Sequence, residues 1–303
     1  MKKPLISIIT ATYNRSKILY YSILSVLFQS YDNWELIVVG DHCTDNTEDI
    51  VHSFNDSRIS YENLPQNFGE QSLPNSIGMK KAKGDFIAFL NHDDIWLPDH
   101  LESSLSRLNS CEADMVYSLM GLYGNFNEKS VICNTPEGVY RPGIVVPASA
   151  WLLKNVIPHK IGYWRPAKEM IVFPSEDYIY RIWKAGFKIV SNPQMTVIKT
   201  TSIAKINSYM NEDSLNKEIY EGIVSDNNFR ESFLTDIIIG SFADYSIKIH
   251  LFKLIREITR VVSTFIAKIF GIHPSIIINF IAFRGGKGKG INFLRTRRGL
   301  KKI

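Results

Sequence analysis

The chain is short of several things. It has 3 cysteines among 303 residues, Cys43, Cys111 and Cys133, and no C-x-x-C pair. An odd, widely spaced set excludes a disulfide framework and a cysteine zinc knuckle, and it fits a reducing cytoplasm. No run reaches the roughly 18 uninterrupted apolar residues of a membrane span. The first residues, Met-Lys-Lys-Pro and then Leu5–Thr10, lack a cleavage site and read as a strand rather than a secretory leader. No G-x-G-x-x-G follows that strand, which weakens a dinucleotide-binding reading. There is no internal repeat and no long low-complexity tract.

What is present is the composition of a globular protein: 45% hydrophobic and 21% charged residues, on a length suited to about two structural units. The net charge of +5 hides an asymmetry. Residues 240–303 hold 13 Lys and Arg against 2 Asp and Glu, whereas the remaining chain holds 22 against 28. An acidic body therefore carries a basic tail, the pattern of a segment that meets an anionic surface such as nucleic acid or membrane.

Along the first 120 residues short apolar runs alternate with helical periodicity. Strands are expected at Leu5–Thr10, Trp34–Val39, Arg58–Asn63, Asp85–Leu90 and Asp114–Leu119. Helices are expected after Ser16 as a cap, over 44–54, over 70–82 and over 99–109. Such alternation implies βαβ units and an α/β fold with a mainly parallel sheet flanked by helices. Further on, helices are expected at Ala148–Val156 and Ser175–Ala185, with strands at Lys188–Ser191 and Thr196–Thr200. Ligands in such sheets bind beyond the carboxyl ends of the strands, so the residues after each strand matter most.

Three groups there could carry chemistry. Asp93-Asp94 follow an apolar strand, where carboxylates suit a hard divalent cation; the plain alternative is a helix cap. Asp41, ahead of His42-Cys43-Thr44-Asp45, could accept a hydrogen bond from a base or ribose, or simply form a turn. Ser175-Glu176-Asp177 opens a helix, where carboxylates complement the dipole or could place a general base.

In order and spacing, "ISIITATYNR" (6–15), "SVLFQSYDNWELIVVGDHCTDNT" (25–47), "NSIGMKKAKGDFIAFLNHDD" (75–94) and "SEDYIYRIWKAGFKI" (175–189) resemble the family-2 glycosyltransferases. The resemblance covers about residues 4–200. It implies the GT-A fold and inverting transfer of a single sugar from a nucleotide-diphosphate donor, with UDP the expected nucleotide. Thr10, Ala11, Tyr13 and Arg15 would line the nucleotide pocket, and Asp41 would hold the base. Asn91-His92-Asp93 takes the DxD position, with Asp93 binding Mn2+ or Mg2+ on the diphosphate and Asn91 replacing the usual first aspartate. Asp177 would be the catalytic base. The acceptor would be a hydroxyl of a glycolipid or polysaccharide in cell-surface glycan synthesis. The rivals are a nucleotidyltransferase of related fold, for which TATYNR lacks glycine, and a non-catalytic membrane scaffold.

Arg165 and Lys168 could approach the phosphates, Trp151 and Trp164 could stack on an acceptor sugar, and His159 could ligate metal; exposed loop or core packing is the alternative for each. Arg181 and Trp183 do not reproduce the QxxRW motif of processive synthases. The tail reads as an amphipathic helix over Tyr245–Phe270, with Ile258, Val261, Phe265 and Ile269 on one face and Lys/Arg elsewhere. That pattern fits a helix lying in the interface of an anionic membrane, the alternative being a helix packed on the body with a solvated basic end, and no recognition module supports nucleic acid. The expected organisation is 1–120 for the nucleotide-sugar half, 121–240 for the acceptor and base half, and 241–303 for the tail. The expected location is the cytoplasm, peripheral to the inner face of the membrane.

Overall fold

The computed structural model describes residues 3–123, 129–135, 137–200, 215–243, 258, 261–267, 269–282 and 286–303. Of the expected tail helix over 245–270, residues 245–257, 259, 260 and 268 lie outside the described residues, and so does Arg284.

The β-branched run Ile6–Thr12 forms β1, and its neighbours are β2 (Trp34–Gly40) and β4 (Phe86–Phe89), both parallel to it. β3 (Ile59–Asn63) extends the parallel half beyond β2. Helices α1 (Ser16–Leu27), α2 (Thr47–His52) and α3 (Ser72–Lys81) make the crossovers. β1 thus lies where the strand order reverses, and the carboxyl ends of β1, β2 and β4 open into one crevice.

Past β4 the sheet becomes mixed. β5 (Asp94–Trp96), α4 (His100–Ser110), β6 (Met115–Tyr123) and β7 (Lys129–Ile132) lead to β8 (Trp151–Lys154), α5 (Val156–Ile161), α6 (Pro174–Lys184) and β9 (Ile189–Thr200). The sheet order is β3-β2-β1-β4-β8-β6-β9-β5, with β7 on β6. β8 runs antiparallel between β4 and β6, while β9 runs parallel to β6. The sheet is α/β as expected, but parallel pairing dominates only its first half. α7 (Leu215–Ser225) and α8 (Phe229–Ala243) pack a small second core through Ile219, Ile223 and Phe233. α9 (Pro274–Ala282) and α10 (Lys289–Arg297) complete the described elements.

Several sequence expectations need correction. The helix expected over 148–156 is a 3-10 turn at Ala148–Ala150 followed by β8. Trp151, Leu152 and Leu153 are fully buried between two strands, and an apolar run this short has no periodicity to separate strand from helix. The two strands expected over 188–200 are one, β9, which bulges where Pro193 cannot donate to the ladder. α2 starts at Thr47 because Asp45 is spent as an acceptor for Thr47 N–H and Oγ1–H. Ser16 lies inside α1, and its hydroxyl reaches Asn46 at 2.7 Å instead of capping.

Candidate active site

The crevice is built by three strand ends. At the end of β1, Thr10 and Arg15 are buried, while Ala11 and Tyr13 are half-buried. Asn14, at φ 47, turns the chain and exchanges side-chain hydrogen bonds with Thr44 beyond β2. Asp41, directly after β2, is buried. Its Oδ1 accepts Phe68 N–H and its Oδ2 accepts Gly69 N–H, both at 2.8 Å. Burial pushes the Asp41 carboxyl above the usual carboxylate range, against the pull of those two donors and of Arg295. Each oxygen keeps a second lone pair, so Asp41 can hold the loop and still accept from a ligand.

The loop after β4 carries Asn91, His92 and Asp93. His92 is anchored by its Nδ1 contact with the Ala11 carbonyl at 3.1 Å, and its own carbonyl accepts the Ser22 hydroxyl. The Asp93 carbonyl accepts Thr200 Oγ1–H and Asn216 Nδ2–H, so β9 and α7 fix that backbone. Asp94 is 0% exposed and fully engaged by Lys199 at 3.0 Å, Ser149 at 2.5 Å and the Asn91 amide at 2.9 Å. Adjacent carboxylates therefore have different work. Asp94 is pushed up by burial, whereas burial of Asp93 is outweighed by Lys199, His92, Arg298 and Arg15, which hold its carboxyl well below the usual range. Asn91 turns its amide onto Asp94 and so braces the loop.

Asp177 lies in the first turn of α6, largely buried. Arg181 Nε donates to it at 2.8 Å, and the same guanidinium donates to the carbonyls of Ile161 and Tyr163. Arg165 approaches its other oxygen at 3.6 Å. The neighbouring Glu176 faces away, accepting Phe173 N–H and Ser275 Oγ–H. Loop 163–170 links this corner to α3 and the loop before it, through Ser76 Oγ–H to the Trp164 carbonyl and Ala167 N–H to Glu70.

The second-tier candidates divide. Trp151 and Trp164 do not face an acceptor: both are buried and stack with Tyr178, Trp164 at 5.1 Å and 5°. His159 is exposed, and no cluster of three or more His, Cys, Asp or Glu stands together among the described residues. Lys199 was missed because a lysine in a strand pattern reads as solvent-facing. Ser149 was missed because its position was assigned to a helix. Arg298 was placed in the tail.

With this geometry in view, residues 7–134 match the sequence model of the glycosyl transferase family 2. Over that stretch the chain is similar to the family-2 glycosyl transferases. The matched stretch runs from β1 to β7 and so includes the ends of β1, β2 and β4 that open into the crevice. Over 128 residues, 42% of this chain and 49% of the relative, it is 39% identical to the Escherichia coli UDP-Glc:alpha-D-GlcNAc-diphosphoundecaprenol beta-1,3-glucosyltransferase WfgD. It is 28% identical to the E. coli UDP-Glc:alpha-D-GlcNAc-diphosphoundecaprenol beta-1,3-glucosyltransferase WfaP, over 75% of this chain and 82% of that one. The chain spans about half the length of the first curated relatives that it matches. Among solved structures, Staphylococcus aureus TarS 1-349 in complex with UDP superposes with a TM-score of 0.52 at 15% identity, covering 97% of this chain and 90% of that one. At that identity the likeness is one of fold, the GT-A architecture of a mixed sheet flanked by helices.

Proposed function

We propose that the protein is an inverting glycosyltransferase that moves one sugar from a UDP-linked donor to a hydroxyl of a lipid-linked or polymeric cell-surface glycan. The observation that carries this reading is the convergence of Asp41, the Asn91-His92-Asp93 loop and Tyr13–Arg15 at the strand-order reversal, with Asp177 held on the neighbouring helix. The UDP donor and the lipid-linked acceptor are supported by what WfgD and WfaP are named for and by the UDP bound to TarS.

In this reading Asp41 accepts from the base, and Tyr13 and Arg15 flank the nucleotide. The donor set fits one divalent cation only in part. Asp94 is committed to Lys199, so Asp93 supplies the single protein carboxylate, and the diphosphate and water would supply the remaining oxygens, a pattern usual for Mg2+. Bound there, the ion would neutralise charge developing on the leaving group. Arg181 and Arg165 fix the Asp177 carboxylate, which takes the acceptor proton while the hydroxyl oxygen attacks C1. The C1–O bond breaks with its electron pair going to the diphosphate, and single in-line displacement inverts the anomeric centre.

A panel of nucleotide sugars assayed for transfer tests the donor. Asp177→Asn should lower kcat by about a hundredfold to ten-thousandfold while UDP affinity stays unchanged. Full activity in that variant rejects the base assignment.

The tail supports association with an anionic membrane. Val261, Phe265, Ile269 and Phe270 are exposed beside a strong basic excess. Among the described residues no helix is long and apolar enough to cross a membrane; the exposed apolar face suits contact with the membrane interface.

A further inference from the structure

The last part of the tail does not stand apart from the body. Gly288 N–H donates to the Met170 carbonyl at 2.8 Å, which ties the start of α10 to the loop that carries Arg165 and Lys168. At the other end of α10, Arg295 is buried. Its Nη1–H donates to the Gly69 carbonyl, and its Nε–H donates to the Lys301 carbonyl at 2.6 Å. Gly69 is the residue whose N–H holds Asp41. Residues 298–303 fold back on α10 through the paired contacts of Asn292 with Ile303, at 2.8 and 3.1 Å. A side chain at Gly69, which sits at φ +80, would collide with Ile303 and Arg295. The segment thus spans the crevice from the Asp177 side to the Asp41 corner.

We propose that residues 289–303 form a cationic strap over the donor end of the sheet, and that Arg298 binds the diphosphate of the nucleotide-sugar there. The inference rests on reading the Asp41–Asp93 crevice as the nucleotide-sugar site. Three observations support it. Arg298 is half-buried one helical turn beyond buried Arg295, and its backbone N–H donates to the Leu294 and Arg295 carbonyls at 3.0 and 3.1 Å, so the turn that seats Arg295 on Gly69 also seats Arg298. Position 91 is Asn, which brings no charge, and Asp94 is tied to Lys199, so side-chain cations must carry much of the diphosphate charge. A guanidinium presents parallel N–H donors that match phosphate oxygens, and a water-excluded crevice strengthens such contacts. As the C1–O bond breaks, the electron pair arrives on a diphosphate oxygen that Arg298 faces.

Calorimetry of the full chain with UDP and with uridine tests this. The expected result is that Arg298→Ala weakens UDP binding by about tenfold or more, while uridine affinity stays within about twofold of wild type. Arg298→Lys should fall between, since it keeps the charge and loses the fork. Retained uridine binding also reports that the variant has folded. Two outcomes overturn the strap: Arg298→Ala binding UDP within about twofold of wild type, or losing UDP and uridine in equal measure. A wild-type protein that binds neither probe, with or without Mn2+, instead rejects the donor-site reading on which the strap depends.

Discussion

Two pieces of the basic tail bury opposite kinds of side chain. Along 261–270 the large apolar residues Val261, Val262, Phe265, Ile269 and Phe270 are exposed, Phe265 at 67% and Phe270 at 70%, while Ser263 and Ala267 are buried. Along 289–303 it is an arginine, Arg295, that is buried, and Phe293 that is left outside. The two pieces share the same excess of positive charge, so charge alone does not say what a segment does. What separates them is the partner. The second piece meets backbone carbonyls and an acidic crevice, which satisfy a guanidinium. The first turns Ser263 and Ala267 inward and leaves its large apolar residues outside, where they suit lipid.

The largest effect that could break this contrast is on the first piece. Two buried phenylalanines are worth about 3–6 kcal/mol together. Phe265→Asp with Phe270→Asp should therefore cut binding to anionic vesicles by at least about a hundredfold, read by co-sedimentation, and leave UDP affinity unchanged. Equal loss of both would mean that the tail acts as one unit.

Next comes acid. His273, between the two pieces, is buried, and its pKa falls to about 4; burial alone lowers it, and its Nδ1 accepts Ser275 N–H. His100 is likewise lowered by burial, to about 3. The unfolded chain protonates both near 6.5, whereas the folded chain keeps them neutral. Stability should thus fall as the pH drops from about 6.5 towards 4, by roughly 1.4 kcal/mol per unit for each histidine. Urea titrations across that range check the slope. His273→Gln should remove its share and sharpen the view that the 271–282 turn is held by a neutral ring.

The smallest effect concerns the docking of the strap. Arg295→Ala removes two charge-assisted bonds to carbonyls, about 1.5–3 kcal/mol each. Hydrogen exchange at 289–303 should accelerate by about tenfold or more, with the strands of the parallel half unchanged. Unchanged exchange would mean that the segment is held by other contacts.

Much of the nucleotide half is legible in the chain. Ile6–Thr12, Trp34–Gly40 and Phe86–Phe89 are apolar, β-branched or aromatic, and each ends in polar residues, so both the strands and their functional ends can be read locally. Asp41 and Asp93 stand out in that way as residues after strands, and the structure places both in the crevice. The second half is less legible. β8 is too short for its period to speak, and β5 exists only because Asp94–Trp96 pairs with β9, a partner about a hundred residues away. Trp164 reads as an aromatic in a Pro-rich loop, yet it lies in a stack with Trp151 and Tyr178.

The sequence alone determined the alternation of strand and helix, the acidic residues at strand ends and the split between acidic body and basic tail. Those features depend on side-chain period and composition, which are properties of neighbours. Only the tertiary structure decided that Asp94 pairs with Lys199 while the neighbouring Asp93 does not share that contact, and that Arg295 is buried against Gly69 beside Asp41. Those outcomes depend on burial and on which charges are brought together, and a charge in a low-dielectric crevice is governed by partners that the linear order does not reveal.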